Sequence, residues 1–148
     1  MDPIPQAQSR EERRHTNRAL RVLVVDDDAD TVQTLTAVLE LEGHVVRAVQ
    51  SGADVLPAVP VFRPDAIILD ISIPGLSGYA VAQAVRHSFT DMRRPLMIAI
   101  SGMWKQAGDR LVAQQVGFDH YLVKPCDPRE VIDLLEKLSK RGSAAPST

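Results

Sequence analysis

Three carboxylates, one hydroxyl and one amine stand where apolar runs of this 148-residue chain stop. Val22-Leu23-Val24-Val25 leads straight into Asp26, Asp27 and Asp28, and Ile67-Ile68-Leu69 leads into Asp70. Leu96–Ile100 ends in Ser101 and Gly102, and His120–Val123 ends in Lys124-Pro125. If the first and third runs are neighbouring strands, Asp26, Asp27 and Asp70 converge in one small pocket. Like charges at that range must protonate or share a cation. Every candidate ligand is an oxygen, because the four histidines show no metal-ligand spacing and Cys126 is a lone cysteine. Oxygen-only ligation favours a hard cation such as Mg²⁺, which keeps coordination positions for water or phosphate.

Adjacent residues of a strand point to opposite faces, so Asp26 and Asp27 are expected in the loop just past the strand end. Asp28 lies further along and is left out of the site. Ser101 offers a hydroxyl with open space at Gly102. Lys124 offers a point charge suited to phosphate or carboxylate. Pro125 makes a cis peptide possible. Three acidic groups against one basic leave a formal charge of −2, which one divalent cation would neutralise. A phosphoryl group arriving there would meet cation, ammonium and hydroxyl, all able to bind its oxygens.

The elements that must position these groups alternate in texture. Apolar runs at Arg21–Val25, His44–Val49, Ala66–Leu69, Leu96–Ile100 and His120–Val123 have the length of strands buried on both faces of a parallel sheet. Helical spacing fills the intervals. Val32, Leu35 and Leu39 form one stripe, stopped by Gly43. Tyr79, Ala82 and Val85 form another, and Leu111, Val112 and Val116 precede Gly117. In the last helix Asp127 is the expected cap, Pro128 the first helical residue and Glu130 the capping-box partner, with Val131, Leu134, Leu135 and Leu138 inward. Pro57 and Pro60 fall in the middle of the second helix, which is expected to be short, kinked or partly loop. Strand and helix in alternation imply parallel pairing, right-handed crossovers and a three-layer α/β sandwich. Ligands then bind beyond the carboxyl ends of the strands, where strand order reverses.

Composition bounds the rest. An apolar fraction of 45% and a charged fraction of 24% suit one globular domain and exclude a disordered chain. The net charge of −2 gives no reason to propose nucleic acid as a partner. A single cysteine forbids an intramolecular disulfide, and no run is long enough to span a membrane or resembles a signal peptide, so a cytoplasmic protein is expected. Residues 1–20 read as a flexible basic leader, 21–141 as the folded domain and 142–148 as a disordered tail.

The segments Val-Leu-Val-Val-Asp-Asp-Asp (22–28), Ile-Ile-Leu-Asp-Ile-Ser-Ile-Pro-Gly-Leu-Ser-Gly (67–78), Ala-Ile-Ser-Gly (99–102) and Gly-Phe-Asp-His-Tyr-Leu-Val-Lys-Pro (117–125) resemble the receiver domain of two-component response regulators. The resemblance covers roughly 21–141, and its most specific part is Leu-Asp-x-x-x-Pro-Gly-x-x-Gly. It implies a flavodoxin-like, doubly wound five-stranded parallel sheet of order 2-1-3-4-5. It implies that Asp70 is the phosphoacceptor, that Asp27 ligates Mg²⁺ directly and Asp26 mainly through water, and that the Ser72 backbone carbonyl completes the set. Ser101 would bind the phosphoryl group beside Gly102, Lys124 would pair with Asp70 and then with the phosphoryl oxygens, and Tyr121 would be the switching aromatic. The donor implied is the phosphohistidine of a histidine kinase or histidine phosphotransfer protein. The output implied is protein–protein contact through the fourth and fifth helices and the fifth strand, with a homodimer as an open option. With Ser72 and Met103 at positions that govern dephosphorylation, neither an acid nor an amide positions water, and a long-lived phosphoryl group is expected.

Each residue alone has a plainer reading. Asp26 and Asp27 could form a polar turn, Asp70 a helix cap, Lys124 a solvated surface lysine and Tyr121 half-buried packing. Their joint placement favours the receiver. A docking module of the same fold that never carries phosphate is the alternative. A metal-dependent phosphatase would need a general acid/base and a substrate-selecting cap, and neither is found, so the chain is read as a signalling domain rather than an enzyme.

Overall fold

The computed structural model describes residues 18–73, 78–89, 94–101 and 117–144, with Tyr79 and 141–144 described by backbone alone. Five strands form one parallel sheet: β1 Arg21–Val25, β2 Val45–Val49, β3 Ala66–Asp70, β4 Leu96–Ser101 and β5 His120–Val123, in the order β2-β1-β3-β4-β5. The described helices are α1 Ala29–Leu41, α2 Val55–Phe62, α3 Gly78–Ser88 and α4 Pro128–Ala144. The predicted helix around Leu111–Val116 lies outside the described residues, as do Gly102 and Met103.

The expected architecture and strand order are observed. Alternation along the strands splits the core into two layers. Leu23, Val25, Ile67 and Leu69 pack with α2 and α3, whereas Val22, Val24, Ile68 and Ile98 pack with α1 and α4. β1 and β3 are buried from Val22 and Ala66 to their ends, as strands with neighbours on both sides should be. The edge strands differ from expectation. β2 is largely exposed and β5 is half-buried throughout, because each has a neighbour on one side only.

Helix ends follow local chemistry. Asp28 caps α1, accepting from the N–H of Asp30 at 3.3 Å and from the Thr31 hydroxyl at 2.7 Å. Gly43, at φ +95°, supplies the left-handed turn that stops α1. Asp127 accepts from the N–H of Arg129 at 2.9 Å and caps α4. α2 is short, as the prolines require: a 3₁₀ turn at Gly52–Asp54 leads into eight α-helical residues. Pro57 falls in the first turn, where no intrahelical N–H partner is lost, and only Pro60 lies in the interior. In α3 the buried face is Val81, Ala82 and Val85; the side chain of Tyr79 lies outside the described ones.

Both domain boundaries move outward from 21 and 141. Leu20 is fully buried, its N–H donates to His44 Nδ1 at 3.0 Å, and the carbonyl of Arg18 accepts from the buried Ser139 hydroxyl. Apolar burial thus ties down the end of the expected leader. At the other end α4 continues to Ala144 before the remaining tail residues.

Candidate functional site

The sheet hydrogen bonds carry on past the strand ends and fix the backbone of the site. Asp26 N–H donates to Val49 O at 3.2 Å, Ile71 N–H to Ile100 O at 2.9 Å and Lys124 N–H to Ser101 O at 2.9 Å. β1, β3, β4 and β5 therefore deliver their terminal residues to one edge in fixed register. Carboxylate oxygens of Asp26, Asp27 and Asp70 lie within 4.8 Å of one another. Asp26 and Asp70 are buried and Asp27 is exposed, and Asp26 and Asp27 both lie just past the end of β1, as expected. Asp70 and Ser101 are the last residues of their strands rather than loop residues. Ser101 is buried at the end of β4. Tyr121 on β5 is half-buried and packs against the core layer of α2 and α3.

Lys124 crosses the cluster. Its Nζ lies 3.0 Å from Asp70 Oδ2 and 2.9 Å from Asp26 Oδ2. The bond to Asp70 matches the expectation, and the equally short bond to Asp26 is an addition to it. The Lys124–Pro125 peptide is cis. The other oxygen of Asp70 accepts twice from Ser72, from its N–H at 2.8 Å and from its hydroxyl at 2.6 Å. Asp26 Oδ1 accepts from the N–H of Asp28 at 2.9 Å.

These contacts push two neighbouring carboxyls apart. Burial drives Asp26 above the ordinary carboxylate range, outweighing the Asp28 N–H and the Lys124 ammonium, and the charge of Asp70 adds to the rise. Burial also acts on Asp70, but the Ser72 hydroxyl, the Ser72 N–H and Lys124 overcome it and hold Asp70 below the usual range. Lys124 loses solvation on burial, yet its bonds to Asp26 and Asp70 raise it and keep it charged. At neutral pH Asp70 is thus ionised and held by three donors at the buried end of β3. An ionised carboxylate so held can serve as a nucleophile. The all-oxygen donor set of Asp26, Asp27 and Asp70 fits a hard divalent cation such as Mg²⁺.

Beside Lys124 opens a cleft of about 600 Å³ between α1 and the start of α4, with Leu35, Ile100, Pro125 and Pro128 in its walls and Asp28 and Asp30 on its rim. Sequence reasoning misses two features of the site. The Ser72 hydroxyl has no pattern that marks it. The Asp28 cap did have one, an aspartate three residues before Thr31 at the head of a helical stripe. Gly102 of the expected set lies outside the described residues.

A family model described as the response regulator receiver domain matches residues 22–136. The chain is 39% identical over 129 residues to the transcriptional regulatory protein PrrA of Mycobacterium tuberculosis, covering 86% of this chain and 54% of PrrA. It is 32% identical over 127 residues to the DNA-binding response regulator MtrA of the same organism, again covering 86% and 54%. The chain therefore spans about half the length of the curated relatives it matches, and the DNA binding named in MtrA belongs to that protein. Among solved structures, a signal receiver domain of a response regulator from Bermanella marisrubri superposes with a TM-score of 0.70 at 30% identity, over 80% of this chain and 96% of that one. A Francisella receiver domain gives 0.73 at 25% identity, over 83% and 98%.

Proposed function

The chain belongs to the response regulator receiver family, and from that premise we propose that it accepts a phosphoryl group on Asp70 from a partner phosphohistidine and passes the signal on by protein contact. The observation that carries the reading is the Lys124 ammonium 3.0 Å from Asp70 Oδ2, beside carboxylate oxygens of Asp26, Asp27 and Asp70 gathered within 4.8 Å. Mg²⁺ bound by those carboxylates and the Ser72 carbonyl would supply the positive charge that the acidic cluster and the phosphoryl oxygens require.

In the transfer, a carboxylate oxygen of Asp70 forms the new bond to phosphorus and the bond from phosphorus to the donor imidazole nitrogen breaks. The imidazole leaves with the electron pair and takes up a proton. Such chemistry asks a protein mainly for position and charge. The three donors on Asp70 supply the position, and Lys124 supplies charge that moves from the carboxylate to the phosphoryl oxygens. The Ser101 hydroxyl, at the end of β4, then binds the phosphoryl group, and Tyr121 on the neighbouring strand responds. The cleft beside Lys124 gives the donor protein an apolar seat next to the acceptor. The histidine kinase or phosphotransfer protein docks there, and a downstream protein reads the face around β5 and α4. The chain catalyses only its own phosphorylation and dephosphorylation, in the cytoplasm. The phosphoryl group persists, since Ser72 offers a hydroxyl already bound to Asp70 rather than an acid or amide to position water.

The test is incubation with Mg²⁺ and acetyl phosphate. A stoichiometric, base-labile phosphoryl group that is absent from Asp70→Asn is the expected result. A protein that takes no label would be a docking module instead. Rapid multiple turnover of a phosphoester would make it an enzyme, and loss of the label within seconds would overturn the persistence.

A further inference from the structure

The eight residues of α2, Val55-Leu56-Pro57-Ala58-Val59-Pro60-Val61-Phe62, include no polar side chain. The inner side is accounted for, because Val55, Val59 and Phe62 are buried in the core. The outer side is not. Leu56 is 46% exposed and Val61 73%, and Pro57 and Pro60 between them are exposed as well. Spacings of three and four residues join these four side chains into one stripe. A helix that is apolar all round belongs in contact on all sides. The patch continues onto the sheet edge. Val45 and Arg47 share the face of β2 that carries Val49 into the α2 core layer, and Val45 is 49% exposed.

The rim decides what covers it. Asp54, exposed, stands at the head of α2, and Arg63, exposed, stands at its end. Arg47 lies at the same end, its guanidinium 6.0 Å from the centroid of the Phe62 ring. Neither arginine pairs with a carboxylate among the described residues. A stripe with acid at one end and base at the other is complementary to itself turned end for end, which is what a two-fold interface demands.

We propose that the outer face of α2, extended by Val45, is the contact of a two-fold homodimer in which the two helices lie antiparallel and Asp54 of each copy faces Arg47 and Arg63 of the other. The two prolines stiffen the helix in advance, so little backbone freedom is lost on association. Five apolar side chains on and beside a helix of ~12 Å are far fewer than the ~20–30 residues a side of a standard interface, so the dimer is weak and depends on concentration. The inference stands on α2 and β2 and does not rest on phosphoryl transfer.

Sedimentation equilibrium of the full chain over a rising concentration series tests it, with Asp70→Asn run in parallel so that dimerisation is read separately from phosphorylation. A monomer–dimer equilibrium is expected in both. Val61→Glu and, independently, Leu56→Lys should abolish it while leaving the far-UV circular dichroism unchanged. Asp54→Arg alone should weaken it by about tenfold or more through like charges brought face to face, and the triple variant Asp54→Arg/Arg47→Asp/Arg63→Asp should restore it. A protein that stays monomeric at every concentration, whether residues 1–17 or another protein cover the face, overturns the proposal. So does a dimer that survives both apolar variants, or one that the charge swap fails to rescue.

Discussion

Lys124 Nζ lies 2.9 Å from Oδ2 of Asp26, as close as it lies to Asp70 within 0.1 Å. One ammonium is thereby shared between two buried carboxylates, and the exposed carboxylate of Asp27 completes a cluster with a formal surplus of negative charge. Without metal that surplus is repulsive, and a divalent cation at the cluster would offset it.

Asp27→Asn separates the two regimes, because it removes one charge and leaves both bonds of Lys124 in place. The metal-free variant is expected to be more stable than the parent by roughly 0.5 kcal/mol, a rise in Tm of about 2 °C. Its Mg²⁺ affinity should fall by at least the ~10–100-fold seen when even outer partners of a metal site are lost. Thermal melts with and without Mg²⁺ measure both, and a metal-free variant less stable than the parent would show that the carboxylates do not repel.

Ser72→Ala addresses the charge state of Asp70. The Ser72 hydroxyl at 2.6 Å is the larger of the two bonds from that residue that hold Asp70 below the ordinary range, and the backbone N–H survives the substitution. Asp70 should then titrate at higher pH, since burial, which raises it, meets less opposition. The acid limb of labelling by acetyl phosphate should move upward in pH, with the rate at neutral pH little changed. An acid limb that stays in place would mean that the hydroxyl does not govern Asp70 in solution.

The positions of the site groups were legible because a buried strand has to end somewhere, and a polar residue at the end of an apolar run marks the place. That is why Asp26, Asp70, Ser101 and Lys124 could all be named from their runs, and why parallel strands then bring them to one edge. The partners they choose were not legible. Spacing places Lys124 at the edge but does not say that it divides itself between Asp26 and Asp70, because that depends on side-chain reach across β1 and β3. Run length likewise made all five strands look alike, whereas exposure along β2 and β5 follows from their place at the sheet edges, which only the strand order decides. Leu20 follows a run of charged residues and so reads as leader, yet its burial against α1 and α4 sets the start of the fold.

His44 gives the fold a titratable latch. Its Nδ1 accepts from the N–H of Leu20 at 3.0 Å, which only the unprotonated nitrogen can do. Burial holds His44 below its ordinary 6.5, overcoming the opposing charges of Glu42 and Asp65. The unfolded chain therefore binds the proton first as pH falls through 6.5, so the stability from this group is complete above that value and is lost toward the lower folded value. Urea unfolding at pH 7.5 and 5.5 should show a loss of about 1 kcal/mol at the lower pH. His44→Gln, which keeps an acceptor but cannot titrate, should flatten that dependence.

Gly78 is the tightest joint between the site and the helix that follows it. A Cβ at this position would lie 2.8 Å from Cγ2 of Ile71, the residue next to Asp70, and 3.7 Å from the ring of Phe118. The first turn of α3 can approach β3 this closely only because position 78 has no side chain. Gly78→Ala must push against a branched side chain adjacent to Asp70, at a cost of about 1–3 kcal/mol. Ile71→Val keeps the offending Cγ2, or exchanges it for its equivalent, and should not help, whereas Ile71→Ala removes the 2.8 Å contact, leaves the one at 3.3 Å to the Ile71 Cβ, and should recover part of the loss in the double variant. Urea denaturation measures the stability, and labelling by acetyl phosphate measures whether the displaced Ile71 also moves Asp70. A Gly78→Ala protein as stable as the parent would show that α3 can shift away from β3 without cost.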